Sequence, residues 1–327
     1  MKPALRIAVL MGGPSAEHDI SLKSGQGVRE ALAARGHDAQ PVVVPNTMTF
    51  AQAAAWARGA LERLTPEVVF IAMHGPFGED GTIQQVCEDL HLAYVGSDPA
   101  ASRLGMDKVA SRQRFVSAGL AVPRWQVVTR ETPAARVPLD GWRFPLMVKP
   151  AGLGSSIGVH CVHEPAGLAA ALLDAGRHDD TVLVEEFIQG RELTVGVLGD
   201  QALPVVEIIP KQEFFDLTAK YTPGMTTYEV PAQLPPPLAA RVQNVGRRAH
   251  AALGCRHLSR TDLILNTQDT PVVLEVNTIP GFTPTSLLPK AAACLGMSYG
   301  DVCEQLVRMA LHDVPAAAAP SIPGAGS

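Results

Sequence analysis

The 327-residue sequence predicts a protein of mixed α/β and α+β class with more than one domain. Three observations carry that expectation. Strand-like and helical runs alternate through the first hundred residues or so, the pattern of a parallel sheet. A central stretch joins short strands and one helix around a glycine-rich loop, and a last stretch alternates strands with a long helix. A chain of this length can bury a large core and hold two or three domains.

The elements follow in order. RIAVLMGG reads as a first strand and SLKSGQGVREALAARG as the helix after it; VVFIAMHG and TIQQVCEDLHL repeat the pair, closing a first domain at 1–97. A helix is expected from Lys108 to Ala118, broken by Gly119 and Pro123 before the strand WQVVT. RFPLMVKP, VHCV, the helix PAGLAAALLDA and TVLVEEF make a small second unit, 98–184. The third, 185–314, contains the strands LTVGVLG, LPVVEIIP, TDLILN and PVVLEVN and the helix PPLAARVQNVGRRAHAAL. Within it KQEFFDLTAKYTPGMTTYEVPA (211–232) has no periodicity and reads as a functional cover or an insertion. The tail at 315–327 is low in complexity and expected to be disordered.

Composition narrows the function. Apolar residues make up 46% and charged residues 18% of the chain, as in an ordinary globular protein. A net charge of −5 without a Lys/Arg cluster argues against a nucleic-acid partner. The five cysteines (Cys87, Cys161, Cys255, Cys294, Cys303) form no CxxC pair, so a disulfide framework or zinc ribbon is not expected. MKPALRIAVLMGG is too short in its apolar part for a signal peptide, and no run approaches the roughly 18 apolar residues of a membrane span. A cytoplasmic enzyme or binding protein is expected.

TDLILNTQDTPVVLEVN reads as a β-hairpin. A two- or four-residue loop pairs Asp262 with Glu275 and Arg260 with Asn277, all four projecting from one face; a three-residue loop would turn Asp262 away. Val272, Leu274 and Val276 are then expected to hold the strand in the core. Two carboxylates about 5 Å apart at Cβ repel unless a cation lies between them. With the Asn277 amide oxygen they suit Mg²⁺, which takes a few protein oxygens and completes its shell with water and phosphate. An ordinary salt bridge between Asp262 and Arg260, with Glu275 solvated, accounts for the same residues.

FPLMVKPAGLGSSIGVHCV carries Gly152, Gly154, Ser155, Ser156 and Gly158 in a loop able to bring backbone N–H groups and hydroxyls onto phosphate. Lacking GK[ST] and a following helix, it is neither a Walker loop nor a dinucleotide fingerprint, and a plain hairpin turn fits it as well. Lys149 stands just before it; Lys108 and Lys220 could add charge. In VEEFIQGRE, Glu185, Glu186 and Glu192 could accept hydrogen bonds from a base amine and a ribose, or form a solvated acidic edge.

Taken together, MGGPSAEHDISL, HGPFGEDG, GSSIGV, LTAKY and LEVNTIPGFTPTSLLPKAA resemble the signature segments of the D-alanine–D-alanine ligases, carboxylate–amine ligases of the ATP-grasp superfamily, over residues 6 to 312. The resemblance implies three α/β domains with ATP between the central and C-terminal sheets. It implies a reaction in which ATP phosphorylates one D-alanine and the amine of a second displaces phosphate, giving D-alanyl-D-alanine for peptidoglycan. Asp262, Glu275 and Asn277 match the ligands of two Mg²⁺ (or Mn²⁺) ions, with Glu275 bridging. Lys108 and Lys149 match phosphate-binding lysines; Ser156, Glu185, Glu186, Ile188, Glu192 and Lys220 fall in the nucleotide-binding segments, although Glu186 stands where another residue type is common.

Glu17 matches the carboxylate that holds the first ammonium, and Ser155 and Tyr221 complete a hydrogen-bonded group with it. His74 falls near the same pocket or caps the next element. Arg260 and the Gly281 backbone match the groups that stabilise the oxyanion, and Ser286 with Leu287 those that receive the second carboxylate at a helix start. Tyr221, where D-alanine–D-lactate relatives tend to carry histidine, favours an amine nucleophile over a D-alanine–D-lactate or other ATP-grasp ligase. A homodimer is the family's expectation, with ATP and D-alanine as ligands and neither nucleic acid nor membrane as partner. A dinucleotide oxidoreductase lacks its fingerprint here, and a nonenzymatic nucleotide-binding module would have no use for Arg260 or Glu17.

Overall fold

The computed structural model describes residues 3–154, 157–210 and 226–313, arranged around three sheets. Among the described residues no helix is long and apolar enough to cross a membrane.

The first sheet is parallel, in the order β2-β1-β3-β4: β1 (Arg6–Gly12), β2 (Asp38–Val44), β3 (Val68–Ile71) and β4 (Ala93–Val95). Helices α1 (His18–Ala33), α2 (Phe50–Leu64) and α3 (Thr82–Asp89) connect its strands. Because side chains alternate along β1, Ile7 and Val9 enter one core and Ala8 and Leu10 the other. Both faces of β1 and β3 are buried, which is why these two strands read as continuous apolar runs, whereas the edge strand β2 is partly exposed.

The second sheet is antiparallel, in the order β5-β8-β6-β7: β5 (Trp125–Thr129), β6 (Leu146–Pro150), β7 (His160–Val162) and β8 (Thr181–Glu186). Helix α6 (Leu168–His178) covers it through Leu168, Ala171, Leu172 and Ala175. Two helices precede it in the chain, α4 (Pro99–Met106), capped by Asp98, and α5 (Lys108–Ser117), capped by Asp107. These two pack on the third sheet instead, with Phe115 meeting Val273 and Val276.

The third sheet runs β12-β11-β9-β13-β14, with the two-residue β10 (Gln201–Ala202) beside β9 (Gly190–Leu198). Its other strands are β11 (Val206–Pro210), β12 (Thr226–Glu229), β13 (Leu258–Asn266) and β14 (Pro271–Asn277). Strand β12 lies in the segment expected to be wholly aperiodic; it forms by pairing with β11, which local pattern does not reveal. Helix α7 (Pro236–Ala252) packs on β9 and β13. The chain passes from the second sheet to the third between Glu186 and Gly190. Beyond β14, α8 (Leu287–Ala293) and α9 (Tyr299–His312) return to the first sheet, where Val302 and Leu306 join the core of Ile7, Val9 and Phe70.

Candidate active site

The hairpin β13–β14 pairs Arg260 with Asn277 and Asp262 with Glu275. It reaches that register by a route the loop-length argument excludes. Asn266 N donates to Thr270 O at 3.0 Å, and Asp269 takes the left-handed conformation at φ 56°, so the loop is of odd length. Left alone, such a loop would put Asp262 on the wrong face. A β-bulge restores the phase: Leu263 faces Val273, and Leu274 is the extra residue. Leu274 and Glu275 therefore both line the cavity below, while Val273 and Val276 enter the core. The expectation that Leu274 faces the core is corrected by that bulge.

Asp262 is almost buried and held from three sides. Arg260 donates Nε to Oδ1 and Nη2 to Oδ2, each at 2.8 Å; Asn277 Nδ2 donates to Oδ2 at 3.0 Å and Thr194 Oγ1 to Oδ1 at 2.6 Å. Burial works against the Arg260 charge, but Asp262 and, more weakly, Glu275 and Glu79 outweigh it and raise its pKa. Asn277 turns its nitrogen to Asp262, which directs its amide oxygen elsewhere. Among the described residues no three His, Cys, Asp or Glu side chains form a metal cluster. The donors at hand, two carboxylates and an amide oxygen, fit a hard divalent cation that keeps several ligands for water and phosphate.

A cavity opens between the second and third sheets. Met147, Ile188, Ile264 and Leu274 give it apolar walls suited to a flat ring, and Lys108, Lys149, Glu185, Glu186, Glu192, Asp262 and Glu275 supply its charge. Lys108 Nζ lies 3.7 Å from Glu275 Oε2 and donates to Leu153 O in the glycine loop. Lys149 pairs with Glu185 Oε2. Burial pushes the Glu185 carboxyl up, yet Arg112 and Lys149 together hold it below its usual range. Burial lowers the Lys149 pKa, opposed by Glu185. Both Glu185 oxygens thus have protein partners, while Glu186 and Glu192 line the same cavity.

A second group lies at the edge of the first sheet. Glu17 precedes α1, and Gly75 (φ +73°) packs so close that a Cβ there would stand 2.5 Å from Glu17 Oε2. His74 is buried; its Nδ1 lies 3.2 Å from Ile279 O and must be the donor, so Nε2 accepts from Ser24 Oγ at 2.9 Å. Burial lowers its pKa, against a smaller opposite effect of Glu17. It ties α1 to the turn after β14 and caps nothing. Glu79 Oε1 accepts from Gly75 N at 2.9 Å; burial, then Glu17, push its carboxyl up to about 8.

After β14 the chain turns through Gly281, where a Cβ would have Ser286 Oγ as its nearest neighbour at 3.6 Å. Ser286 occupies the N-cap position of α8, but its hydroxyl bonds Thr283 N at 2.9 Å and no helical N–H. Leu287 begins that helix and packs on the core. Ser155, Ser156, Lys220 and Tyr221, with most of the expected covering loop and all of the tail, lie outside the described residues.

Sequence reasoning singled out neither Arg112, Glu79 nor Thr194. Glu79 stood inside the quoted HGPFGEDG; Thr194 faces Asp262 across β9–β13, a pairing no local pattern announces. Arg112 had one signal, its place one helical turn after Lys108.

Two family models match, described as D-ala D-ala ligase N-terminus over residues 55–97 and D-ala D-ala ligase C-terminus over 115–308. The D-alanine–D-alanine ligase of Gluconobacter oxydans (strain 621H) is 45% identical over 311 residues, 94% of this chain and 99% of that one. That of Geotalea uraniireducens (strain Rf4) is 43% identical over 305 residues, 93% and 95%. The crystal structure of the Bacillus anthracis ligase complexed with ATP superposes with a TM-score of 0.82 at 30% identity, covering 95% of this chain and 99% of that one. The VanG D-Ala:D-Ser ligase from Enterococcus faecalis gives 0.80 at 30%, covering 94% and 100%.

Proposed function

We infer the activity from one premise: this chain belongs to the D-alanine–D-alanine ligase family, with the ATP-grasp fold. It is an ATP-dependent ligase that joins two D-alanines. The carboxylate of the first takes the terminal phosphoryl group of ATP, giving an acyl phosphate and ADP. The amine of the second attacks the acyl carbon, loses a proton, and expels phosphate to leave the peptide bond. A carboxylate is a poor electrophile facing an anionic phosphate, so charge neutralisation is the central task.

The observation that carries the reading is the meeting of Arg260, Asp262, Asn277 and Glu275 on paired strands, with Lys108 beside Glu275 in the lining of the cavity. The apolar walls take the adenine and Glu192 the ribose. Lys108 and Lys149 hold phosphate oxygens, and Asp262, Glu275 and Asn277 hold Mg²⁺ or Mn²⁺. Such an ion, when bound, withdraws charge from the phosphoryl oxygens. Glu17 binds the first ammonium. Arg260, with Nε and Nη2 turned to Asp262, presents its Nη1 edge and, with the Gly281 N–H, receives the oxyanion. Ser286 and Leu287 receive the second carboxylate, and Tyr221 selects an amine over a hydroxyl nucleophile. The enzyme works as a cytoplasmic homodimer supplying peptidoglycan precursor.

Phosphate release with ATP, Mg²⁺ and D-alanine, with L-alanine as control and the product identified by mass, tests the reading. D-alanyl-D-alanine formed with D-alanine alone supports it. Release independent of D-alanine, or a depsipeptide as the main product when D-lactate competes at neutral pH, overturns it.

A further inference from the structure

Arg112 is fully buried, and no step of the ligation uses it. Its guanidinium has two sets of partners. Nε and Nη2 donate to Glu185 Oε1 at 2.9 and 2.5 Å, and Nη1 donates to the carbonyl oxygens of Val273, at 3.0 Å, and Leu274. One side chain on α5 thus grips β8 of the second sheet and the bulge of β14 in the third.

Each grip has a consequence. Glu185 carries one negative charge and meets two cations, since Lys149 occupies its other oxygen. With Arg112 present the trio holds a net positive charge, and Lys149 faces the cavity with it. Without Arg112, Lys149 and Glu185 would form a neutral pair, and an incoming phosphate would have to compete for the ammonium. The second grip falls on the extra residue that turns Glu275 into the cavity. A bulge leaves backbone groups outside the ladder, and buried carbonyls need donors. Arg112 supplies two.

We propose that Arg112 is a positioning residue of the nucleotide site: it neutralises Glu185 so that the charge of Lys149 serves a phosphate, and it holds the Val273–Leu274 bulge that aims Glu275. The proposal rests on the cavity being the nucleotide site, and its test separates the two.

ADP binding is measured by calorimetry with and without Mg²⁺, free of D-alanine. The unsubstituted enzyme binds ADP and binds it more tightly with Mg²⁺; failure here overturns the site reading and leaves nothing for Arg112 to position. Arg112→Met weakens metal-free binding by about tenfold or more. Adding Glu185→Gln brings that affinity back to within about threefold, because Lys149 is no longer shared, whereas the gain from Mg²⁺ stays lost. Arg112→Lys keeps the charge without the fork, so metal-free binding holds and the Mg²⁺ gain shrinks. A purely structural arginine would show no rescue by Glu185→Gln. Binding by Arg112→Met equal to the unsubstituted enzyme in both conditions overturns the proposal, as does a double variant no better than the single one. If Arg112→Met shows no cooperative melt, Arg112→Lys decides: selective loss of the Mg²⁺ gain supports the proposal, and unchanged or jointly lost binding overturns it.

Discussion

Arg260 and Asp262, two positions apart on β13, lie side by side and join through two hydrogen bonds of 2.8 Å, and that same carboxylate also takes bonds from Thr194 and Asn277. A bidentate pair of this kind fixes the plane of the guanidinium as well as its charge. Arg260→Lys would keep the charge and lose the plane. Turnover is expected to fall roughly 10²–10³-fold while the Kd for ADP and Mg²⁺ changes little. Steady-state rates beside calorimetry check this; equal losses in both would place Arg260 in binding instead.

Glu275→Gln preserves shape at the bulge and removes one charge. Turnover should drop at least roughly 100-fold and the half-saturating Mg²⁺ concentration should rise, with the thermal midpoint nearly unmoved. A melt lowered as severely as the rate would assign Glu275 a structural role.

Glu79 gives a pH dependence of definite sign. Burial and the nearby Glu17 push its carboxyl up to about 8 in the folded chain from an ordinary 4.5, so between those values the folded state holds a proton that the unfolded state has lost. Stability contributed by the protonated group is complete below pH 4.5, declines as pH rises, and is gone above about 8. Glu79→Gln, which keeps the bond from Gly75 N, should gain stability progressively over that window, on the order of a few kcal/mol at its upper end. Denaturant melts of the ligand-free protein at pH 5, 7 and 9 check it; a gain independent of pH contradicts the assignment.

Gly75→Ala meets two obstacles, a backbone at φ +73° and a Glu17 oxygen 2.5 Å from the new methyl. The cost is about 1–3 kcal/mol of stability. Displacement of Glu17 should raise the KM for D-alanine and leave that for ATP alone. A rise shared by both substrates would show that the change spreads beyond the amino-acid site.

Much of the site is legible wherever chemistry is written into strand alternation. Asp262 and Glu275 were expected to face each other, and they do, although the reasoning assumed an even loop and no bulge. Two offsets cancelled, and only hydrogen bonding across strands reveals either. Leu274 was misplaced for the same reason. The place of Arg112 one turn after Lys108 does not reveal its burial, because a buried arginine and a solvated one look alike in a polar helix; what buries it is the packing of α5 onto β14, more than a hundred residues further along the chain. Strand β12 and the Thr194 contact escaped notice because each exists only by lateral pairing.

Helix α9 completes the core begun by β1, so the opening strands and the closing helix stabilise one another across nearly the full chain. On the ribosome the first sheet emerges early with Phe70 and Val95 uncovered, and it stays so until Val302 and Leu306 are made. Its assembly therefore belongs to the end of synthesis, a slow closure of long sequence separation during which chaperone occupancy of the nascent chain should be greatest.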